Sequence, residues 1–320
     1  MSNMRHVVVT DHPSDDVHQE RAVAARFGVP ITVNDCSTEA ETVAATRGAS
    51  ALLVNLAPIT AAVIEGLAPG ASVIRYGIGY DNIDVTAARA RGIRVANIPD
   101  YGAETVADHA LALMLALVRR LPAYDAALRS GWWSGAGAFG PVRGLRRTTV
   151  GLIGTGRIGL AFAQRLRPLG VRIIAHDPYV SRLALSAHEI ENLPFIDVIE
   201  AADVVSLHLP LTAQTHGLLG ASELARMRAG ALLINTSRGP LVDERALAEA
   251  LQTGNLGGAG LDVFATEPLE PTSPLPELPN VILTPHIGYY SDESIDRLHE
   301  LAAAELERAL AGLQLVGQVA

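Results

Sequence analysis

Short apolar runs alternate with longer amphipathic stretches along the first hundred residues. The apolar runs predict buried strands at 7–9, 31–33, 51–54, 73–75 and 93–95. Helical spacing predicts helices between them, at about 16–27, 39–47, 61–66 and 85–91. Because strands alternate with helices, we predict βαβ units built on a parallel sheet.

A second alternation of the same kind begins at Thr149. Its predicted strands are 149–153, 171–175, 203–207, 231–234, 258–261 and 281–283. A last helix is predicted over about 292–311. We therefore predict an α/β fold with two Rossmann-like, doubly wound parallel-sheet domains and the active-site cleft between them.

The stretch 103–121, which lies between the two alternations, is apolar on nearly all sides of a predicted helix. Such a helix needs burial on more than one side. It is either a core helix or, as we favour, a helix wedged between domains and against a second subunit. Trp132 and Trp133 follow in a loop-like segment and are expected to pack into a partner or a neighbouring domain.

The composition excludes several classes of protein. The formal charge is −9 and no run of Lys or Arg occurs, which argues against nucleic acid as a partner. The one cysteine, Cys36, excludes an internal disulfide framework and fits a reducing compartment. The apolar run near the N-terminus is too short for a signal peptide, and Ala110–Val118 is too short to span a bilayer. We predict a cytoplasmic protein without membrane contact or a metal site.

A glycine fingerprint follows the strand at 149–153. Gly154, Gly156 and Gly159 are spaced G-x-G-x-x-G and lead into a predicted helix at 157–166. Such a turn brings backbone N–H groups and a positive helix end close to a pyrophosphate. The fingerprint alone is a weak signal, because glycine-rich turns between strand and helix are common.

Asp177, at the end of the next predicted strand, strengthens the nucleotide interpretation. A carboxylate there can accept hydrogen bonds from the adenosine ribose, and its charge repels a 2′-phosphate. We therefore predict NAD and disfavour NADP. In the alternative interpretation, Asp177 only caps a turn before Pro178.

Polar residues follow several further strands of the second alternation. They include His208, the segment 235–239, Asp262 and His286. The carboxyl ends of parallel strands line the ligand crevice of a doubly wound sheet, so these groups should converge there.

Three of the residues at this edge of the predicted sheet suggest a reaction: His286, Glu267 and Arg238. A carboxylate that is hydrogen-bonded to an imidazole fixes its tautomer and makes a proton donor usable near neutral pH. The planar guanidinium of an arginine can bind a substrate carboxylate through two hydrogen bonds. These groups suit the reduction of a 2-oxo acid by a nicotinamide cofactor.

Four blocks of sequence together resemble the D-isomer-specific 2-hydroxyacid dehydrogenase family. They are N-T-S-R-G-P-L-V-D-E at 235–244, E-P at 267–268, T-P-H-I-G at 284–288 and R-Y-G-I-G-Y-D-N-I-D at 75–84. Within the family, segments 100–110 and 286–294 look closest to the branch of the C-terminal-binding-protein corepressors and their bacterial enzyme relatives.

The resemblance implies a discontinuous architecture. A flavodoxin-like substrate-binding domain would comprise residues 1–101 and 290–320, and an NAD-binding Rossmann domain would comprise 102–289. It also implies a homodimer formed through the Ala103–Trp133 region. The partner at the site would be a small 2-oxo or 2-hydroxy acid.

The resemblance also implies roles for individual residues. His286 would protonate the carbonyl oxygen, Glu267 would hold His286, and Arg238 would orient the substrate. The residues implied for the cofactor are Gly154, Thr155, Gly156, Arg157, Ile158, Gly159, Asp177, His208, Thr215, Thr236 and Asp262. The backbone of Ile78 and Gly79 would bind the substrate carboxylate. Apart from the resemblance, the position of Tyr290 soon after T-P-H-I-G would let it form an aromatic wall of the substrate pocket, and the alternative is a packing role.

Departures from the family's patterns bear on the substrate. Phosphoglycerate dehydrogenases need cations for the phosphate, and the long ones carry a C-terminal regulatory domain. Here the loop 55–60 contains no basic residue, and the chain ends soon after its last predicted helix. Formate dehydrogenases carry glutamine where Glu267 stands.

From these departures we predict an NAD-dependent D-2-hydroxyacid dehydrogenase that acts mainly as a 2-oxoacid reductase on an unphosphorylated substrate. The alternatives are an NAD-sensing, corepressor-like interaction protein with little turnover and a D-3-phosphoglycerate dehydrogenase. The sequence names neither the particular acid nor the pathway.

Overall fold

The computed structural model describes residues 5–14 and 16–320. The chain divides into two compact units, one comprising Met1–Gly102 with Tyr290–Ala320 and the other comprising Ala103–Tyr289. Each unit contains one parallel sheet, of five and seven strands respectively. The predicted fold class, two parallel-sheet α/β domains, is confirmed.

The first unit is built on a five-stranded sheet with strand order β2-β1-β3-β4-β5, in which all pairs are parallel. Its strands are β1 Val7–Val9, β2 Ile31–Val33, β3 Ala51–Val54, β4 Ser72–Arg75 and β5 Arg94–Asn97. Its helices are α1 His18–Arg26, α2 Glu39–Thr46, α3 Ala61–Gly66, α4 Val85–Ala90 and α12 Asp292–Leu310. The central strands β1 and β3 are fully buried, as continuous apolar runs in a sheet covered on both faces should be.

The second unit is built on a seven-stranded sheet with strand order β12-β11-β10-β9-β6-β7-β8, again entirely parallel. Its strands are β6 Thr149–Ile153, β7 Arg172–His176, β8 Glu191–Asn192, β9 Val204–Leu207, β10 Ala231–Asn235, β11 Leu256–Leu261 and β12 Val281–Leu283. Its helices are α5 Ala103–Val118, α6 Leu121–Arg129, α7 Arg157–Leu166, α8 Arg182–Ser186, α9 Phe195–Ala201, α10 Ala221–Arg226 and α11 Glu244–Gln252. The strand order reverses between β6 and β9, which places a switch point beside the glycine fingerprint.

The predicted helix over 103–121 is shorter in the structure and is followed by a helix that the sequence analysis missed. Helix α5 ends at Val118, Arg120 has a left-handed backbone conformation with φ of 53°, and α6 begins at Leu121. Pro122 explains the break, because a proline cannot continue a helix past its first turn. Helix α5 packs on α7 and on strands β10 and β11 of its own unit.

Among residues 5–14 and 16–320, none of the helices combines the length and the apolar character that crossing a bilayer would need.

Candidate active site

The glycine fingerprint forms the predicted strand–turn–helix at the switch point of the second unit. Gly154 follows β6 with a φ of 93°, a conformation that glycine adopts readily, and its N–H donates to the His176 carbonyl over 3.0 Å. A Cβ on Gly154 would collide with the backbone of His208, and a Cβ on Gly159 would lie 2.5 Å from the carbonyl oxygen of Gly154. These two glycines are therefore required by the protein's own packing.

Gly156 differs from the other two glycines of the fingerprint. A Cβ there would meet no atom within 4 Å, and the residue caps the N-terminus of α7. The neighbouring Arg157 is exposed and Ile158 is half-buried. At Gly156 the start of α7 thus has room for an anion to approach the backbone N–H groups, which is the arrangement a pyrophosphate needs. The residues present fit a dinucleotide cofactor.

Asp177 lies directly after β7 and is tied to the fingerprint turn. Its Oδ2 accepts hydrogen bonds from the Thr155 backbone N–H and from Thr155 Oγ1, both over 2.8 Å, and its Oδ1 accepts from Tyr179 N–H over 2.9 Å. Burial would raise the pKa of Asp177, but these bonds outweigh it and lower the pKa. The structure therefore directs the N–H of Thr155 to Asp177, and the carboxylate is held ionised at the strand end.

His208 is buried beneath the fingerprint turn. Its Nε2 lies 2.9 Å from Ser206 Oγ, and its ring lies 5.2 Å from the ring of Phe162. Its Nδ1 has no hydrogen-bond partner within the described part of the chain. Burial lowers the pKa of His208 to about 3, so the imidazole is neutral at physiological pH.

Thr215, which was also predicted near the cofactor, stabilises its own loop. Its Oγ1 donates to the Pro210 carbonyl over 2.7 Å and accepts from the Thr212 N–H over 2.8 Å.

The segment N-T-S-R-G forms a compact turn after β10. Asn235 Nδ2 donates to the Arg238 carbonyl over 2.9 Å, and Ser237 N–H donates to Asn235 Oδ1 over 3.0 Å. Thr236 Oγ1 is buried and lacks a hydrogen-bond partner among the described residues. Gly239 allows the backbone at Phe264 to approach, where a Cβ would collide. This close approach brings the Arg238 turn beside the loop that carries Glu267.

Glu267 and His286 form a direct pair. Glu267 Oε2 lies 2.7 Å from His286 Nδ1, and Glu267 Oε1 accepts from the Phe264 N–H over 3.0 Å. Burial would raise the pKa of Glu267, but the hydrogen bond and charge of His286, the Phe264 N–H and the charge of Arg238 lower it. The carboxylate is therefore ionised and holds the proton of the imidazole on Nδ1, which leaves Nε2 free of this contact.

Asp262 holds the loop that carries His286. Its Oδ1 accepts from Ile287 N–H over 2.9 Å and from Thr284 Oγ1 over 2.6 Å, and its Oδ2 accepts from Gly288 N–H over 2.8 Å. Burial would raise the pKa of Asp262, but hydrogen bonds from His109, Thr284, Gly288 and Ile287 lower it. Asp262 was predicted as a cofactor contact, and the structure shows its carboxylate bonded to this loop.

Two further residues, His109 and Thr284, contact Asp262 and were not predicted from the sequence. His109 Nε2 lies 2.9 Å from Thr284 Oγ1 and 3.5 Å from Asp262 Oδ1. His109 lies on α5, 175 positions before Thr284 in the chain. No local sequence pattern signals such a distant contact.

The first unit contains the remaining predicted residues. The Ile78 carbonyl accepts from Asn97 Nδ2 over 2.6 Å, Gly79 is half-buried, and Tyr290 is 65% exposed.

In the loop after β3, the backbone N–H groups of Asn55, Leu56 and Ala57 all donate to the carboxylate of Asp11, over 2.5–3.2 Å. This contact was not predicted from the sequence either.

Comparison of the sequence with known proteins assigns the chain to a family. The sequence profile described as "D-isomer specific 2-hydroxyacid dehydrogenase, NAD binding domain" matches residues 111–288. The fold and the site define a two-domain protein with a nicotinamide-cofactor domain and a histidine–carboxylate pair. The chain belongs to the D-isomer-specific 2-hydroxyacid dehydrogenase family, as the sequence resemblance indicated.

Individual relatives carry different names. A D-3-phosphoglycerate dehydrogenase of Mycobacterium tuberculosis is 44% identical over 275 residues, which are 84% of this chain and 51% of that protein. The chain thus spans about half the length of this curated relative. A glyoxylate reductase of Korarchaeum cryptofilum is 42% identical over 78% of this chain and 76% of that protein.

Among solved structures, D-lactate dehydrogenase from Aquifex aeolicus, complexed with NAD and lactic acid, superposes with a TM-score of 0.88. It is 30% identical, with 96% of each chain covered.

Proposed function

We propose that this chain is an NAD(H)-dependent reductase that converts a small, unphosphorylated 2-oxo acid into its D-2-hydroxy acid. The observation that carries the proposal is the pair of His286 Nδ1 and Glu267 Oε2 at 2.7 Å, in the unit that bears the glycine fingerprint. A histidine held by a carboxylate is the proton donor that reduction of a carbonyl needs.

The proposed chemistry divides between the cofactor and the protein. A bound nicotinamide would supply the hydride. His286 would donate the proton from Nε2 to the carbonyl oxygen, since its Nδ1 is engaged by Glu267. Arg238 would bind the substrate carboxylate through its planar guanidinium, and its half-buried position limits competition from water.

We propose that the cofactor contacts come from the fingerprint turn and the strand ends. Gly156, Arg157 and Ile158 would surround the pyrophosphate at the start of α7, and Asp177 would bind the adenosine ribose. The Thr236 hydroxyl, which has no hydrogen-bond partner in the described part of the chain, would lie near the nicotinamide. The ionised carboxylate of Asp177 supports NAD rather than NADP, because a 2′-phosphate would meet a like charge.

The substrate contacts on the first unit come from backbone groups in this proposal. By the family resemblance, the N–H groups at Ile78 and Gly79 would bind the substrate carboxylate. The loop at 55–57 supports an unphosphorylated substrate, because its three N–H groups are already bonded to the carboxylate of Asp11. A phosphate there would meet a negative charge instead of free donors.

D-3-phosphoglycerate is the second candidate substrate. The 44% identity to a mycobacterial protein of that name favours it. The absence of basic residues from the loop 55–60 argues against it.

We further propose that the protein is a homodimer. Large apolar side chains are exposed on and after α6, where Leu121, Leu128, Trp132 and Trp133 have exposed fractions of 55, 57, 53 and 84%. An exposed apolar surface of this kind is typical of an interface. Sedimentation analysis should give the mass of a dimer, and Trp133→Glu should shift it toward that of the monomer.

Oxidation of NADH, followed by its absorbance, tests the proposed activity. Glyoxylate, pyruvate, hydroxypyruvate and phenylpyruvate serve as substrates, and D-3-phosphoglycerate with NAD⁺ serves in the reverse direction. His286→Gln should lower kcat by about 10²- to 10⁴-fold while NADH binding, measured by fluorescence, is retained. The exposed His18 provides the control substitution His18→Gln, which should leave turnover unchanged.

Three outcomes would redirect the proposal. Full activity of His286→Gln would exclude the proposed proton donor. Faster turnover of D-3-phosphoglycerate than of every 2-oxo acid would favour the second candidate. If no acid is reduced faster than about 1 per second, an NAD-sensing interaction protein becomes the better interpretation.

A further inference from the structure

A chain of three polar side chains lies behind the loop that carries His286, and the proposed reaction does not use it. His109 Nε2 lies 2.9 Å from Thr284 Oγ1, and this hydroxyl donates to Asp262 Oδ1 over 2.6 Å. Since a hydroxyl has only one proton, Thr284 must accept the Nε2–H of His109. The three side chains therefore form a directed series of hydrogen bonds from α5 to the carboxylate.

Asp262 connects this series to the backbone of His286 and of the two residues that follow it. Its carboxylate accepts the N–H groups of Ile287 and Gly288, over 2.9 and 2.8 Å, and its backbone carbonyl accepts the N–H of His286 over 2.8 Å. Asp262 is 1% exposed, so these bonds have little competition from water. Asp262 alone thus binds the backbone N–H groups of three consecutive loop residues, 286 to 288.

The conformation of His286 explains why the loop needs this support. Its φ is 55°, in the left-handed region that residues other than glycine rarely adopt. Such a conformation persists only where the surrounding contacts impose it. There is also little room for the loop to shift, because a Cβ on Gly288 would lie 2.8 Å from Asp262 Oδ2 and 3.3 Å from His109 Cδ2.

We infer that His109 is a positioning residue for the proton donor. Through Thr284 and Asp262, it holds the loop 284–288 in the conformation in which the His286 imidazole meets Glu267. The inference rests on the proposed function, in which His286 donates the proton, and it assigns His109 no contact with the substrate.

Substitutions at the two ends of the hydrogen bond test this role. His109→Leu removes the donor, whereas His109→Gln retains an N–H near the position of Nε2. Thr284→Val removes the hydroxyl, whereas Thr284→Ser retains it. His18→Leu, at an exposed histidine, serves as the control.

We expect kcat of His109→Leu and Thr284→Val to fall by about 10- to 100-fold, because a small displacement of a catalytic group is costly. The Kd of NADH should change by less than about twofold, since the fingerprint turn is untouched. His109→Gln and Thr284→Ser should recover most of kcat. Adding His109→Leu to Thr284→Val should lower kcat by less than His109→Leu does in the wild-type protein, because the bond between these two side chains is already lost.

Hydrogen–deuterium exchange in the cofactor-free protein provides a measurement that does not depend on activity. The amides of Ile287 and Gly288 should exchange about tenfold faster in His109→Leu, while those of β6 keep their wild-type rates. His109→Gln should retain the slow exchange at both amides.

Two results would overturn the inference. One is a His109→Leu variant with wild-type kcat and wild-type exchange at the loop. The other is an exchange increase throughout the unit that His109→Gln does not reverse, which would mean a general structural role. If the wild-type chain reduces no 2-oxo acid, the proposed function fails, and the exchange data still decide whether His109 holds the loop.

Discussion

The buried neutral histidine beneath the glycine fingerprint makes the stability of its unit depend on pH. His208 has a pKa of about 3 in the folded protein, against an ordinary value of 6.5. Protonation would place a charge in a buried position where Nδ1 has no partner among the described residues. The unfolded chain therefore binds the proton first as the pH falls. Stability is lost from about pH 6.5 downward, and the loss stops near pH 3.

The magnitude follows from the two pKa values. With 6.5 unfolded and about 3 folded, lowering the pH from 7 to 5 removes about 2 kcal/mol of unfolding free energy through this residue alone. That is a large fraction of the stability of an ordinary domain.

The variant His208→Gln isolates this contribution, because glutamine keeps a group that can bond to Ser206 but does not titrate. His216, which is exposed in the same unit, provides the matched substitution His216→Gln. Urea unfolding is followed by circular dichroism at pH 7 and pH 5, and exchange of the β9 amides identifies the transition of this unit.

Wild type and His216→Gln should lose about 2 kcal/mol more between the two pH values than His208→Gln does. Equal losses in all three proteins would show that protonation of His208 does not destabilise the fold, and the reasoning from burial would be wrong.

Three further predictions concern single side chains. Gly156→Ala should weaken NADH binding, measured by fluorescence titration, by at least about tenfold, with little loss of stability. Gly159→Ala should instead lower the free energy of unfolding, measured with urea, by about 1–3 kcal/mol, because its Cβ meets Gly154. Asp177→Ala should weaken NADH more than NADPH, and equal weakening in titrations with both coenzymes would exclude the ribose contact. Burial and the charge of Asp11 raise the pKa of Cys36. A thiol reagent should therefore modify Cys36 at least about tenfold more slowly than free cysteine at pH 8, and Asp11→Asn should accelerate the reaction.

Local patterns in the sequence were enough to predict part of the fold. The apolar runs predicted the strands of both units except β8, since a strand that is buried on both faces must be apolar throughout. The two residues of the edge strand β8, Glu191 and Asn192, are polar and were not predicted as a strand. Asp243 is of a residue type that favours a helix N-cap, and its side chain accepts from the Ala246 N–H at the start of α11. The spacing of Gly154, Gly156 and Gly159 predicted a strand–turn–helix because it is a property of one short segment.

Hydrogen bonds between residues far apart in the chain depend instead on how the chain folds. His109 and Thr284 lie 175 positions apart, and Asp11 lies 44 positions before Asn55. No repeat, spacing or motif in the sequence predicts either contact, because each forms where strand ends and helices from separate parts of the chain meet. The pairing of Glu267 with His286 was predicted from their places at strand ends and from the family resemblance, whereas its 2.7 Å distance comes from the fold.

The same division applies to the direction of individual groups. Thr155 was implied as a cofactor contact, which stays a prediction, and the folded chain directs its N–H and its hydroxyl to Asp177. Composition and spacing indicate which chemical groups are present near a site. The direction of each donor depends on the backbone around it, and packing across the whole unit sets that backbone.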